Sequence, residues 1–160
     1  MENWKKIKCL ALDVDGVLTD GAIYLDSTGE WRRNFYIRDG LGMVRLKEHG
    51  YKLAIITTSL AEDIRKRAKN LEIDFFYEGA KDKASAFDDL LKKSGFKSSE
   101  IAFVGDDIID LPVFEKCGIS IAPADAHKSV KKRADVITKE NGGRGAVREV
   151  CDILIAKGPL

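Results

Sequence analysis

Short apolar runs alternate with amphipathic stretches along most of this 160-residue chain. The runs are bounded by polar or glycine residues, as is typical of buried strands, and predict strands at 7–12, 53–57, 74–77, 101–104, 119–122 and 136–138. The amphipathic stretches predict helices at 39–49, 61–71, 82–94, 111–116 and 126–134, and a final helix that ends near 155. Strands that alternate with helices form βαβ units. The pattern therefore predicts an α/β fold with a single doubly wound, mostly parallel sheet.

One segment interrupts this alternation. Residues 22–25 and 31–36 flank the polar sequence Asp26-Ser27-Thr28-Gly29, which predicts a β-hairpin at about 22–36 that protrudes from the sheet. No linker or shift in composition divides the chain, so residues 1–160 are expected to form one domain with a C-terminal tail at about 141–160. A chain of this length is not expected to include a separate cap domain.

Composition argues against several classes of protein. The 27 basic and 26 acidic residues give a formal net charge of +1, which argues against nucleic acid as a partner. No stretch approaches the ~18 apolar residues of a membrane span, and the first residues do not resemble a secretory signal. Cys9, Cys117 and Cys151 form no Cys-x-x-Cys pair, which favours a cytoplasmic location. Because His49 and His127 are the only histidines, a bound metal is expected to have oxygen ligands.

The polar residues that follow the predicted strands are the candidates for chemistry, because ligands of open α/β sheets bind beyond the carboxyl ends of the strands. They are Asp13, Asp15, Gly16, Thr57, Thr58, Ser59, Lys83, Asp106, Asp107 and Asp110. Carboxylates gathered this closely need a cation, and Mg²⁺ prefers carboxylate and phosphate oxygens as ligands. Each residue alone is more typical of a turn, a helix cap or, for Lys83, a solvated lysine at the start of a helix. Their joint placement predicts a site for Mg²⁺ and a phosphate group.

Within this set, the Lys83 ammonium and the Thr57 hydroxyl are expected to hold phosphate oxygens. Gly16 would allow backbone N–H groups to approach the phosphate closely. Asp106 directly follows a strand and is therefore the first expected metal ligand, whereas Asp110 is expected to order Lys83 or the waters around the metal.

These motifs resemble those of the haloacid dehalogenase (HAD) superfamily of phosphotransferases. The sequence LALDVDGVLTDG is similar to the first motif, Thr57 matches the second, Lys83 in EGAKDK the third and VGDDIIDLP the fourth. The hairpin, the segment NFYIRDGLGM and the tail NGGRGAVREV extend the resemblance over most of the chain, to the small capless subfamily of 3-deoxy-D-manno-octulosonate 8-phosphate (KDO 8-phosphate) phosphatases. The resemblance implies a HAD-like Rossmannoid fold and a phosphatase acting on a sugar phosphate in KDO and lipopolysaccharide biosynthesis.

The resemblance also implies roles for single residues. Asp13 would be the nucleophile that forms an aspartyl-phosphate, and Asp15 the general acid and base. The Thr58 backbone N–H would face the phosphate. Mg²⁺ would be held by the Asp13 side chain, the Asp15 carbonyl and Asp106, with support from Asp107 or Asp110.

The resembled subfamily forms homotetramers in which hairpins associate and a neighbouring subunit closes the active site. The same assembly is expected here, because the predicted hairpin exposes the apolar residues Ile23, Leu25, Trp31 and Phe35. In the tail, Arg144 and Arg148 follow a double glycine that is expected to be flexible, so either arginine could reach a carboxylate or a phosphate; a role as an ordinary helix face stays equally open.

Position 59 departs from the resembled pattern. Enzymes of the subfamily usually carry Thr-Gly-Arg at the second motif, and nonulosonate 9-phosphate phosphatases carry Thr-Gly-Glu, whereas this chain has Thr57-Thr58-Ser59. Serine supplies neither a guanidinium fork nor a negative charge. A related acid sugar, such as a nonulosonate 9-phosphate, and a catalytically silent HAD module that serves in assembly therefore stay open as alternatives. A phospho-receiver domain fails on position, because the third predicted strand ends at Tyr77-Glu78-Gly79 without an aspartate.

Overall fold

The computed structural model of the chain describes residues 4–158. Its strands are β1 (Cys9–Leu12), β2 (Tyr24–Leu25), β3 (Trp31–Arg32), β4 (Lys52–Ile56), β5 (Phe75–Tyr77), β6 (Ile101–Val104), β7 (Ile119–Ala122) and β8 (Val136–Ile137). Its helices are α1 (Ile37–Glu48), α2 (Glu62–Asn70), α3 (Lys83–Ser94), α4 (Leu111–Phe114), α5 (Lys128–Lys131) and α6 (Ala146–Lys157). Each predicted strand and helix has a counterpart, although α5 is much shorter than the helix predicted at 126–134.

Six strands form a parallel sheet in the order β5-β4-β1-β6-β7-β8. The chain passes from β1 to β4 and β5, crosses back to β6 on the other side of β1, and continues outward to β8. This reversal beside β1 confirms the doubly wound α/β fold and marks the edge at which ligands bind in such sheets.

Helices cover both faces of this sheet, so its central strands are buried on both sides. Leu10 and Leu12 of β1 belong to the apolar cluster that includes Met43 of α1, whereas Cys9 and Ala11 belong to the cluster on the opposite face. The alternation follows from the two-residue period of a strand. Both faces anchor β1, and β1 in turn positions the residues that directly follow it.

The hairpin is present but its strands are only two residues long each. Asp26 closes the turn: its carboxylate accepts hydrogen bonds from the backbone N–H groups of Thr28 and Glu30 and from Arg32 Nε at 2.7 Å. These local bonds hold the ribbon together, because a two-stranded hairpin has little core of its own.

Helix α3 begins and ends as predicted. The Asp82 carboxylate accepts hydrogen bonds from the Ser85 backbone N–H at 3.1 Å and from the Ser85 hydroxyl at 2.6 Å, which caps the first turn. Gly95 ends the helix in the left-handed conformation, with a φ of 72°. The cap places Lys83 as the first residue of the helix, directed at the edge of the sheet.

Asp39 differs from its prediction as the residue that caps α1. Helix α1 begins two residues earlier, so Asp39 lies inside its first turn, and its Oδ1 accepts a hydrogen bond from the Arg148 backbone N–H of α6 at 2.8 Å. Its Oδ2 is buried and has no hydrogen-bond partner among the described residues. Asp39 therefore joins α1 to α6, and the cap prediction is wrong because the partner lies 109 positions away in sequence.

Asp39→Asn tests this buried carboxyl. Burial raises the pKa of Asp39 to about 6, although the backbone N–H groups of Arg148 and Gly145 oppose the rise. When the pKa of an acid is higher in the folded state than in the unfolded state, the protein loses stability as the pH rises from the unfolded-state pKa, ~3.9, through the folded-state pKa. Chemical denaturation at pH 4, 5.5 and 7 is expected to show the wild-type free energy of unfolding declining relative to that of the variant. A difference that does not change with pH would contradict this assignment.

Candidate active site

The parallel register brings the ends of three strands level with one another. Leu12 of β1 lies opposite Ile55 of β4 and opposite Val104 of β6. Neighbouring strands are ~4.8 Å apart. The loops that follow β4 and β6 therefore flank Asp13, the residue that follows β1.

Asp13 is buried at the bottom of this edge, with only 5% of its surface exposed. Its Oδ1 accepts a hydrogen bond from the Val14 backbone N–H at 2.7 Å and lies 3.0 Å from Lys83 Nζ. Burial raises the pKa of Asp13 to about 7; the Asp110 carboxylate adds to the rise and Lys83 opposes it. The carboxyl group thus lies where negative charge is costly unless cations are near.

Lys83 and Asp110 form the buried base of the site. Lys83 Nζ lies 2.6 Å from Asp110 Oδ1, and both side chains are almost wholly inaccessible. Burial lowers the pKa of Lys83, but the carboxylates of Asp13 and Asp110 outweigh burial and raise it overall. The other oxygen of Asp110 accepts hydrogen bonds from the backbone N–H groups of Asp106 and Asp107, at 2.9 and 3.2 Å. Asp110 thereby orders both the lysine and the loop after β6.

Asp106 completes a cluster of carboxylates. Each of Asp13, Asp106 and Asp110 offers an oxygen within 4.8 Å of the others. Burial and the negative charge of Asp13 raise the pKa of Asp106 to about 8. One ammonium group does not balance three carboxylates, and a set of carboxylate oxygens suits Mg²⁺. The residues present therefore fit a magnesium ion.

Gly16 leaves space for this cluster. The Asp106 carboxylate packs against the Gly16 backbone, so a Cβ at position 16 would overlap it, and the φ of 83° at Gly16 is in the left-handed region. Asp107 points elsewhere: its side chain accepts a hydrogen bond from the Ile108 backbone N–H and caps the 3-10 turn that follows.

The threonines after β4 divide between the interior and the surface. Thr57 is buried, and its hydroxyl oxygen accepts a hydrogen bond from the Ser59 backbone N–H at 3.2 Å, which leaves the hydroxyl proton free to be donated. Thr58 is exposed. The backbone after β4 is therefore held in a turn that faces the edge of the sheet.

The side chain of Asp15 is not among the clustered carboxylates, and 38% of it is exposed. Both of its oxygens accept hydrogen bonds from Arg33, a residue for which the sequence predicts no role. The sequence carries a weak signal for this contact. Successive side chains of an extended chain point to opposite sides, so Arg33 is expected to point away from Asp26 in the turn, which Arg32 binds. The sequence does not say what Arg33 meets.

The arginines of the tail contact neither the carboxylate cluster nor Asp15 in the described part of the chain. Arg144 donates a hydrogen bond to Asp20 at 3.0 Å, and Arg148 Nε donates to Asp152 at 2.8 Å. Both line a groove of about 680 Å³ beside α6, and the lining of this groove includes none of Asp13, Asp106 and Asp110. The double glycine is not a free hinge, because Gly142 and Gly143 are buried and pack against the loop that follows β1.

The order of the sheet and the carboxylates at its edge define the class of the protein as a haloacid dehalogenase-like hydrolase. A model of that family matches residues 75–150. The chain belongs to this family and is a phosphatase. Its curated relatives include the 3-deoxy-D-manno-octulosonate 8-phosphate phosphatase KdsC of Escherichia coli (strain K12), which is 47% identical over 98% of this chain and 84% of the relative.

Solved structures agree with this assignment. The 3-deoxy-D-manno-octulosonate 8-phosphate phosphatase of Yersinia pestis is 41% identical, with a TM-score of 0.94 over 97% of this chain and 84% of that chain. The enzyme of Moraxella catarrhalis, solved in complex with a magnesium ion, a phosphate ion and a KDO molecule, is 40% identical, with a TM-score of 0.94 over 98% of this chain and 90% of that chain. Among residues 4–158 no helix is long and apolar enough to cross a membrane.

Gly16→Ala tests how the loop after β1 shapes the site. The added methyl group displaces the Asp106 carboxylate, and a displacement on the order of 1 Å in an active site can reduce activity about 100-fold. We expect a loss of this size in phosphate release.

Gly29→Ala is the matched control. Gly29 has a φ of 84°, close to that of Gly16, but a Cβ there meets no atom within 4 Å. Its effect measures the backbone strain alone, roughly 1–2 kcal/mol of stability. Equal losses of activity in the two variants would contradict the steric explanation.

Proposed function

We propose that this phosphatase hydrolyses 3-deoxy-D-manno-octulosonate 8-phosphate to KDO and phosphate, with Mg²⁺ as cofactor and Asp13 as nucleophile. One observation carries the proposal: a buried aspartate lies against a buried lysine at the carboxyl edge of β1, in a chain 47% identical to KdsC. The Moraxella catarrhalis relative, whose structure holds magnesium, phosphate and KDO, supports both the substrate and the ion.

In the first step, a carboxylate oxygen of Asp13 attacks phosphorus. The bond from phosphorus to the sugar oxygen breaks, and an aspartyl-phosphate forms. The Lys83 ammonium group orients the Asp13 carboxylate and offsets its negative charge in a buried position. The Thr57 hydroxyl and the backbone N–H of Thr58 bind the phosphate oxygens, and Gly16 allows the group to approach.

Asp15 carries the protons. It gives a proton to the leaving sugar oxygen in the first step and takes one from water in the second. That water attacks phosphorus, the bond to Asp13 breaks, and phosphate leaves. The exposed fraction of the Asp15 side chain, 38%, supports this role, because a sugar and then water need access to the carboxyl group.

The side chains of Asp13 and Asp106 and the carbonyl of Asp15 would hold Mg²⁺. When bound, the ion neutralises negative charge on the phosphoryl oxygens. Asp110 takes a supporting role, because both of its oxygens are already engaged by Lys83 and by the loop after β6.

Phosphate release from a panel of phosphate esters tests this function. The panel includes KDO 8-phosphate, a nonulosonate 9-phosphate, a hexose phosphate and 4-nitrophenyl phosphate. KDO 8-phosphate is expected to be hydrolysed fastest, and EDTA is expected to stop the reaction because the carboxylate cluster then lacks its cation. Asp13→Asn removes the nucleophile and is expected to abolish release, whereas Asp88→Asn, an exposed change on α3, is the control.

Each other outcome contradicts one part of the proposal. Faster release from the nonulosonate ester would assign the alternative acid sugar. Activity in EDTA or in Asp13→Asn would exclude the proposed cofactor or nucleophile. Release from none of the esters by a folded protein would favour the silent module.

We further propose that residues 1–160 act as one capless domain in a homotetramer. Hairpin residues Leu25 and Trp31 are more than half exposed, as are Ile37 and Leu41 on the neighbouring helix α1. An apolar surface of this kind is typical of a protein interface. In this arrangement the exposed Arg144 would bind substrate in the site of a neighbouring subunit. A cytoplasmic location stays a prediction from the cysteine pattern.

Leu25→Glu tests the assembly. A charge in the apolar interface would be desolvated without a partner. We therefore expect light scattering after size-exclusion chromatography to give four times the 17.8 kDa chain mass for the wild type and a smaller mass for the variant. Ile137→Glu, at a similarly exposed residue of β8, should keep the wild-type mass. A monomeric wild type would contradict the proposal.

A further inference from the structure

Arg33 connects the hairpin to the entrance of the active site. It directly follows β3, and only 9% of its side chain is exposed although the hairpin itself is exposed. A buried guanidinium needs carboxylates or hydroxyls around it. Arg33 has three such partners, from two parts of the chain: Asp15 after β1, and Ser59 and Asp63 between the end of β4 and the first turn of α2.

Asp63 and Ser59 hold the guanidinium from one side. The Arg33 backbone N–H donates to Asp63 Oδ2 at 3.0 Å, and its side chain donates to Asp63 Oδ1 at 3.3 Å. A second terminal nitrogen donates to Ser59 Oγ at 3.3 Å. Because Asp63 binds both the backbone and the side chain, the guanidinium is held by contacts other than those with Asp15.

The other side of the guanidinium faces Asp15. Arg33 Nε lies 2.5 Å from Asp15 Oδ1, and the nitrogen that binds Ser59 lies 3.3 Å from Asp15 Oδ2. A planar bidentate contact sets the orientation of a carboxylate as well as its distance from the guanidinium. Asp15 is much more exposed than Arg33, so the arginine is the fixed partner and the aspartate the oriented one.

We propose that Arg33 is a positioning residue that orients Asp15 for its proton transfers. The inference rests on the proposed role of Asp15. In the acid step the proton resides on Oδ2, which gives up its long contact and donates to the leaving sugar oxygen, while Oδ1 keeps its short bond to Arg33. In the base step Oδ2 takes the proton of the attacking water. The bond at Oδ1 thus holds the carboxyl group throughout.

This arrangement also accounts for position 59. Ser59 carries no charge, yet its hydroxyl contacts the guanidinium of Arg33, so a positive charge occupies the space beside residue 59. The charge comes from the hairpin instead of from the turn after β4.

Arg33→Met, with Arg133→Met as the matched control, tests the inference. The Arg133 guanidinium also binds a carboxylate, that of Glu115 at 2.6 Å, but on the exposed surface, so this control should keep the wild-type kinetics. The value of kcat/KM covers only the steps up to release of the alcohol, whereas kcat also includes hydrolysis of the aspartyl-phosphate. Three substrates separate the possible roles: 4-nitrophenyl phosphate, whose leaving group needs no proton, KDO 8-phosphate, and a hexose phosphate without a carboxylate.

For Arg33→Met we expect kcat/KM to fall about 100-fold for both sugar phosphates, in the range of a lost general acid. With 4-nitrophenyl phosphate, kcat/KM should stay near the wild-type value. Its kcat should fall, with a burst of nitrophenol equal to the enzyme concentration, because hydrolysis of the intermediate still needs Asp15. Arg33→Lys, which keeps the charge but not the planar fork, should recover only part of the loss.

Other results would overturn the inference. Equal losses with all three substrates, together with a lower melting temperature, would indicate a structural role. A loss of kcat/KM confined to KDO 8-phosphate would make Arg33 a substrate-binding residue. Wild-type kinetics with all three substrates would show that Arg33 has no role in the reaction. Failure of the wild type to hydrolyse KDO 8-phosphate would remove the proposed substrate but leave the comparison of the other two esters intact.

Discussion

The ammonium group of Lys83 lies between two buried carboxylates, those of Asp13 and Asp110, at the carboxyl edge of the sheet. Removing one member of such a buried group leaves a charge without a partner and costs about 3–5 kcal/mol. With Asp106 nearby, negative charge still exceeds positive charge. The rest of the edge follows from this imbalance, because a phosphate group can enter only where further cations and N–H donors offset its own charge.

Backbone geometry makes this concentration of charge possible. Parallel strands that end at the same level deliver their loops to one place, and residues without side chains let those loops approach. Gly16 lies against the Asp106 carboxylate, Gly105 against Asp110, and Gly142 against the carbonyl of Gly16. A Cβ at any of the three would collide with its neighbour, so the glycines set how closely the acidic loops converge.

Periodicity, strand ends and caps account for the parts of the structure that were predictable. The central strands are apolar on both faces, and Asp82 and Gly95 delimit α3 by local hydrogen bonding and local backbone conformation. The differences at Asp39 and Arg33 share a cause: the partners of these residues are remote in sequence. Asp39 is of a residue type that commonly caps helices, but it accepts a hydrogen bond from α6. Arg33 contacts Asp15, which is 18 positions away in sequence, and Asp63, which is 30 positions away. No pattern within a short window encodes such contacts.

In the proposed mechanism, environment divides the roles between the two aspartates that follow β1. Asp13 is 5% exposed and contacts Lys83, whereas the side chain of Asp15 is 38% exposed and contacts Arg33 of the hairpin. A buried carboxylate held by an ammonium group suits nucleophilic attack, because its attacking oxygen stays in one place. A more accessible carboxylate held by a planar guanidinium suits proton exchange, first with a sugar oxygen and then with water. In the proposed mechanism the hairpin therefore takes part in the chemistry, because Arg33, which directly follows β3, contacts Asp15.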